Sequence, residues 1–427
     1  VRAGLGVCCL IVRGSLATVR GLLGVGLCLA ALGNSLCAVA TGTVDNATSA
    51  PPDAATFATW LSEFSRQARD AGITDSTLRS AFADVRFNPK VVERDRHQPE
   101  FTRSLWQYLD LAVSKERIRE GRKRLSTHRV LLEAIRDRYG VAPEYVVAIW
   151  GLETNYGGNL GGFNTVEALA TLAYDGRRRE FARRELLATL RLLQQEGLEP
   201  QILQGSWAGA IGHTQFLPST YLRYAVDQDG DGLRDLWNSV ADALGSAANY
   251  LAESGWQDGQ PWGLEVVLPE DFSWDLSDSR VRKPMEQWIE LGVRGQAGRP
   301  LPDRRVSGSL LIPAGYQGPA FLTMGNFLAI KRYNPSTAYA LGIGHLADRF
   351  AGGGPFAATW PIQTRPLSRS EKEHLQRALQ RHGYDVGGVD GMIGPRTRAA
   401  LRAYQKDAGV PADGYPTPEL LHTLQNL

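Results

Sequence analysis

"VVAIWGLETNYGGNLGGFNT", Val146 to Thr165, runs out of an apolar segment into a glycine-rich turn and leaves one carboxylate, Glu153, at the junction. Pro143 suits the first turn of a helix, and the segment to Thr154 is apolar on nearly every face, so a helix over 143–154 should be buried. Glu153 follows Trp150 by three residues and Ile149 by four, which puts it on their face. Burial and the carbonyl end of the helix should both raise its pKa, as a general acid at neutral pH requires. The plain alternative is a helix-end glutamate turned to water, so the decision rests on the surrounding sequence.

Helical spacing dominates on both sides of this stretch. "FATWLSEFSRQARDAG" carries Phe57, Trp60, Leu61 and Phe64 on one face and stops at Gly72. Further helices are expected around 75–83, 100–125, 127–139, 165–174, 178–196 and 239–254. From about 256 to 320 the texture changes to Gly, Pro, Trp and short β-prone runs such as "GLEVVLP" and "SGSLLIP", a small strand-bearing insertion. Helices resume over 320–331 and 335–350. "AGGGPFAATWPIQTRP", 351–366, reads as a linker, and the tail 367–427 as a separate three-helix unit. The fold class is therefore mainly α.

With 427 residues, 43% apolar and 22% charged, the chain is ordinary globular material of two or three domains. At the N-terminus "GLLGVGLCLAALG" (21–33) has the length of a signal-peptide core, and "AVA" (38–40) offers a cleavage site. Export is the expectation for 1–40, followed by a polar segment over 41–53. All four cysteines, Cys8, Cys9, Cys28 and Cys37, lie in the leader, so a processed chain would have no disulfide, thiol nucleophile or cysteine metal site. Neither Cys28 nor Cys37 has the small residue before it that lipid attachment prefers, which favours a soluble periplasmic protein over a lipid-anchored one. Removing 1–40 leaves 44 basic against 45 acidic residues, so a nucleic-acid partner is not expected. The run "RRREFARR" (177–184) reads as a solvated helix face.

Two motifs lie beyond the opening stretch. "GSWAGAIGHTQFLPSTY" (205–221) lets backbone approach closely through its small residues, while Ser206, Gln215 and Tyr221 offer neutral hydrogen-bonding groups, a surface suited to a sugar chain or to tight helix packing. "DQDGDGLRDLWN" (227–238) sets Asp227, Asp229, Asp231 and Asp235 at positions 1, 3, 5 and 9 of an EF-hand loop, with Leu233 to offer its carbonyl at position 7 and Gly232 at position 6. Position 12 is Asn238 where a bidentate Glu is usual, and Asp242 is near enough to substitute. A structural Ca²⁺ is expected, and no cofactor for chemistry. HExxH and GxSxG are absent, so zinc peptidase and serine hydrolase readings have no support.

"WGLETNYGG", "GSWAGAIGHTQFLPSTY", the Asp-rich loop, "ALGSAANYLAESGW" and "RYNPSTAY" occur in the order and spacing of the lytic murein transglycosylase B family, and the chain resembles it over about residues 54–350. The resemblance implies a lysozyme-like helical catalytic core and places the family's single catalytic glutamate on Glu153. It carries substrate-groove roles to Ser206, Gln215, Phe216, Tyr250, Tyr333, Asn334 and Tyr339, with Arg177 and Arg178 near the peptide stems. It also implies cleavage between N-acetylmuramic acid and N-acetylglucosamine with closure of a 1,6-anhydro ring. "DGMIGPRTRAALRAYQ" (390–405) is similar to the peptidoglycan-binding domain at the ends of many wall hydrolases. Peptidoglycan strands and stems are the implied partners, cell-wall synthesis or division proteins are further candidates, and the oligomeric state stays open. A non-catalytic wall-binding protein and a hydrolytic muramidase are the competing readings. Hydrolysis would ordinarily need a second carboxylate, for which Glu144 and Glu167 are the candidates nearest in sequence.

Overall fold

The computed structural model describes residues 54–96, 103–278 and 280–426. The expected leader and the polar segment 41–53 lie outside them. Helices α1 (Ala54–Asp70), α2 (Asp75–Phe82) and α3 (Pro89–Arg96) come first. The helix expected over 100–125 is two: α4 (Leu105–Ala112), opened by a capping box between Ser104 and Gln107, and α5 (Lys115–Thr127), opened by Ser114. A serine that accepts from the backbone three residues on ends one helix and starts the next. Helices α6 (Arg129–Tyr139) and α7 (Pro143–Thr154) follow.

Every residue of α7 from Tyr145 to Thr154 is buried. Around it pack α4, α5 and α6, and later α11 (Val240–Glu253), α13 (Gly325–Tyr333) and α14 (Thr337–Phe350). A second core joins α1 and α2 to α8 (Thr165–Asp175), α9 (Arg179–Glu196) and α10 (Pro218–Tyr224). Strands β1 (Phe163–Asn164) and β2 (Gln204–Gly205) pair antiparallel between the two halves, with Phe163 opposite Gly205.

The insertion is an antiparallel five-stranded sheet in the order β4-β6-β7-β3-β5, from β3 (Gly263–Val267), β4 (Lys283–Pro284), β5 (Arg294–Gly295), β6 (Ser307–Leu311) and β7 (Ala320–Thr323), with the short helix α12 (Met285–Glu290). The helix expected from Ala320 is corrected here. Residues 320–323 form β7, register Glu265 to Phe321, and the helix begins at Gly325.

The tail folds as α15 (Arg369–Arg381), α16 (Pro395–Asp407) and α17 (Pro418–Gln425) around Leu375, Leu379, Leu401, Tyr404, Leu421 and Leu424. Gln376 fixes its turn: the amide oxygen accepts from Gly391 N at 2.8 Å and its NH₂ donates to Asp390 Oδ1 at 3.0 Å. Gly391 holds φ +72°, and a Cβ there would sit 2.7 Å from Arg369 Cγ. This unit is docked on the strand-bearing insertion. Arg402 pairs with Asp278 at 2.6 Å and Tyr316 N donates to Asp413 Oδ2 at 2.8 Å. The stretch read as a linker is likewise packed and not a loose tether, since Ala357 N and Ala358 N donate to Glu265 at 2.8 and 2.7 Å and Phe356 stacks its edge on Phe321. Among the described residues, no helix is long and apolar enough to cross a membrane.

Candidate active site

Glu153 is the penultimate residue of the buried helix and is 4% exposed. Burial pushes its carboxyl up to about 8 from an ordinary 4.5, opposed by a hydrogen bond from Tyr339. Tyr339 Oη donates to Glu153 Oε1 at 2.7 Å. Among the described residues no other carboxylate contributes to that shift, although two like charges in one site would raise it further. Glu167 is occupied elsewhere, accepting from Asn88 Nδ2 at 2.7 Å, and the buried Glu185 of α9 accepts from Ser219 N and Oγ at the start of α10.

The backbone turns sharply after the acid. Asn155, Tyr156 and Gly157 have φ of 51°, 60° and 82°, three left-handed residues in succession, of which two are not glycine. Contacts on every side hold the turn. Tyr156 Oη donates to Arg117 O at 2.6 Å, Thr154 Oγ1 donates to His213 O at 2.7 Å, and Gly157 N donates back to Thr154 Oγ1 at 3.0 Å. A Cβ on Gly157 would meet the His213 ring at 2.3 Å. His213 accepts from Trp150 Nε1 through Nδ1 at 3.1 Å, and burial lowers its pKa. The acid-bearing helix is thereby fastened to the loop 205–221.

The expected groove residues divide into two groups. Phe216, Tyr250, Tyr333 and Tyr339 form one aromatic wall beside Glu153: Tyr333 lies parallel to Tyr339 at 6.4 Å, Tyr250 edges on Tyr333 at 4.9 Å, and Phe216 is 5.9 Å from Tyr333. Tyr333 Oη is held by Thr214 O at 2.6 Å and Tyr250 Oη by Arg332 O at 2.6 Å. The other group shapes backbone. Ser206 Oγ accepts from Ala208 N and Ala210 N, Gln215 donates to Leu160 O and Gly212 O from a left-handed φ of 50°, and buried Asn334 accepts from Ser336 N to start α14. Arg177 and Arg178 both pair with the buried Asp95, at 2.7 and 2.8 Å, and Arg178 also lies over the Trp207 ring.

Tyr108 was not legible in the sequence as a site residue. "LWQYLDLA" reads as a core helix, yet its phenol is buried, feels the charge of Glu153, and has no hydrogen-bond partner among the described residues. Gly342 on α14 makes room for the ring, since a Cβ there would lie 3.3 Å from Tyr108 Cε1. An orphaned hydroxyl beside the acid is poised to bond whatever enters.

In the Asp-rich loop, Asp227, Asp229, Asp231 and Asp242 each bring a carboxylate oxygen within 4.8 Å of the others. Asp242 is buried behind the loop and accepts from Gln228 N and Asp235 N at 2.7 and 2.9 Å. Four oxygen donors around one point fit a hard divalent cation. Asp235 stands outside the cluster, because its carboxylate turns back to accept from Trp237 N and Asn238 N, and Leu233 is 50% exposed.

Residues 56–348 match the family described as the transglycosylase SLT domain, and 368–424 match a peptidoglycan binding domain. The chain is 36% identical over 219 residues to the membrane-bound lytic murein transglycosylase B of Escherichia coli (strain K12), a match covering 50% of this chain and 58% of that protein. It thus spans little more than half the length of that curated relative. Crystal structures of SltB3 from Pseudomonas aeruginosa, in complex with NAG-NAM-pentapeptide and with NAG-anhNAM-pentapeptide, resemble the fold with a TM-score of 0.84 at 52% identity, covering 86% of this chain and 99% of that one. Escherichia coli SLT35 in complex with calcium gives a TM-score of 0.59 at 29% identity over 68% of this chain and 92% of that one.

Proposed function

The chain belongs to the transglycosylase SLT domain family, and on that premise we propose that it is an exported lytic transglycosylase that cuts the β-1,4 bond between N-acetylmuramic acid and N-acetylglucosamine, leaving a 1,6-anhydromuramoyl end. The observation that carries this reading is a single glutamate, Glu153, buried at the end of α7 where burial raises its carboxyl and Tyr339 holds it at 2.7 Å, with no second carboxylate paired to it among the described residues. Glu153 gives its proton to the bridging oxygen as the bond to the muramoyl C1 breaks. The substrate's own acetamido group stabilises the cationic carbon. The ionised Glu153 then takes the proton of the muramoyl C6 hydroxyl as that oxygen bonds to C1. Glu153 ends as it began, and no water is consumed. A tethered nucleophile has an effective molarity on the order of 10⁵ M or more when well oriented, so it outruns water if the sugar is fixed. Half-buried Tyr250 and Tyr333, backed by the buried Phe216 and Tyr339, supply a rigid face for that fixing. The relative's complex with an anhydro-sugar pentapeptide supports the same product class, and the matched C-terminal unit supports a grip on the wall.

Mass spectrometry of digested sacculi tests the reaction. Muropeptides should end in anhydromuramic acid, one water lighter than reducing ends. Reducing-end products would make the enzyme a hydrolase.

Asp227, Asp229, Asp231 and Asp242 would hold a Ca²⁺ whose part is to offset their mutual repulsion, with no role in the reaction at Glu153. At a calcium concentration of 100 times Kd the native state should gain about 2.7 kcal/mol, raising the melting temperature by several degrees. Scanning calorimetry with calcium and with chelator measures this, and identical melting curves would sink it.

A further inference from the structure

His213, half-buried in the loop 205–221, holds α7 on both sides of Glu153. Its ring accepts from Trp150 Nε1 through Nδ1 at 3.1 Å, three residues before the acid. Its carbonyl accepts from Thr154 Oγ1 at 2.7 Å, one residue after it. The Nδ1–Cε1 edge of the ring lies against Gly157, where a Cβ would collide with it, in the left-handed turn that leaves the helix. An indole nitrogen can only donate, so Nδ1 offers its lone pair and the proton of the neutral ring sits on Nε2. Trp150 is 1% exposed, and without the imidazole its N–H would be buried and unbonded.

The same residue is fixed from behind. His213 N donates to Leu236 O at 2.9 Å, and Gly212 before it holds φ +72°, with Leu236 O 2.5 Å from the place a Cβ would take. The next carbonyl serves the other side of the site. Thr214 O accepts from Tyr333 Oη at 2.6 Å, and Tyr333 lies parallel to Tyr339, whose phenol donates to Glu153. Two successive carbonyls therefore join the acid-bearing helix to the aromatic face, so one dipeptide ties the place of the acid to that of the face.

A lone carboxyl that gives a proton to the bridging oxygen and then takes one from the C6 hydroxyl has to meet two atoms in turn, and a misplacement near 1 Å costs about 10²-fold. We propose that His213 is a positioning residue for this acid: it keeps the last turn of α7 in register with Tyr333 and Tyr339, so that Glu153 meets both oxygens of the bound sugar. This rests on the reading of the chain as a lytic transglycosylase with Glu153 as acid and base. His213 acts through Trp150 and Thr154, not on the substrate. A loosened acid serves the tethered hydroxyl less well, and water then bonds to C1, gives its proton to Glu153 and leaves a reducing end. Misplacement is thus recorded in the products as well as in the rate.

The test compares the full chain with His213→Leu, which fills the space without an acceptor, and His213→Asn, whose amide oxygen falls where Nδ1 stands. Digestion of uncrosslinked peptidoglycan strands is followed for kcat, KM and the ratio of anhydro to reducing ends, with the folded fraction fixed by thermal melting. His213→Leu should lower kcat about tenfold or more at nearly constant KM, because the lost contact is felt in the transition state and not in binding. The share of reducing ends should rise at least about threefold as the tethered hydroxyl loses its advantage over water. His213→Asn should return both readings to near the wild type. If the Leu variant does not fold, His213→Gln takes its place, since it stays polar but carries its amide one bond further out than Nδ1. An unchanged kcat per folded molecule, a loss of rate with an unchanged product ratio, or an Asn variant no better than Leu overturns the proposal. A wild type that releases reducing ends alone sinks the transglycosylase reading itself, whereas anhydro products at full rate from His213→Leu sink only the positioning role.

Discussion

Glu153→Gln is expected to leave a folded protein that still binds glycan but has lost roughly 10² to 10⁴ of its turnover or more. The amide keeps the shape and can accept from Tyr339 Oη as the carboxyl oxygen does at 2.7 Å. It can neither give nor take a proton. In the wild type the acid must start protonated, so kcat/KM should fall as pH rises past about 8, the value to which burial lifts this carboxyl. At its ordinary value only about one molecule in several hundred would carry the proton at pH 7. On the proposed mechanism, burial at the end of α7 is part of the chemistry. Sacculus digestion followed by product release measures the loss. A Gln variant with wild-type rate would reduce Glu153 to a helix end.

The same substitution should make the protein more stable, in a pH window set by the same shift. The folded carboxyl titrates near 8 and the unfolded one near 4.5, so the folded pKa is raised. Below the unfolded value both states hold the proton and the site carries no ionisation penalty. As pH climbs from 4.5 toward 8 the unfolded chain releases its proton while the folded one keeps it, and stability drains away at about 1.4 kcal/mol per pH unit. By pH 7 the deficit is on the order of 3 kcal/mol. Gln has no proton to release. Urea unfolding should then show wild type and variant alike at pH 4 and the variant ahead by about 3 kcal/mol at pH 7, with the gap levelling off above 8. Parallel curves across that range would mean that the acid is not shifted by burial. If Glu153 acts as proposed, it trades fold stability for reactivity, as active-site groups commonly do.

Much of this site was legible because its signals are local. Pro143, the apolar run and the glycines after Glu153 mark a buried helix and a tight turn, and both are present. The acidic spacing marks the loop that gathers Asp227, Asp229 and Asp231, but not Asp235, whose carboxylate is claimed by amides two and three residues on. What escaped depends on distant partners. "AFLT" at 320–323 has helical neighbours and becomes a strand only because β3 and β6 flank it. Tyr108 reaches Glu153 across forty-five residues of chain, a proximity that no spacing encodes. The docking of α16 on the insertion through Arg402 and Asp278 pairs two charges that each look ordinary on the surface.

Helix α7 has one more consequence. Catalytic groups commonly sit on loops carried by a scaffold, where local opening is cheap. Here the acid is carried by a helix enclosed by α5, α6, α11 and α14, and its last turn and the residues just after it are tied to His213 and Arg117. Its amides should exchange with solvent only when the whole domain opens. Heat should accordingly extinguish activity and structure in one step, with no intermediate temperature at which a folded but idle enzyme accumulates.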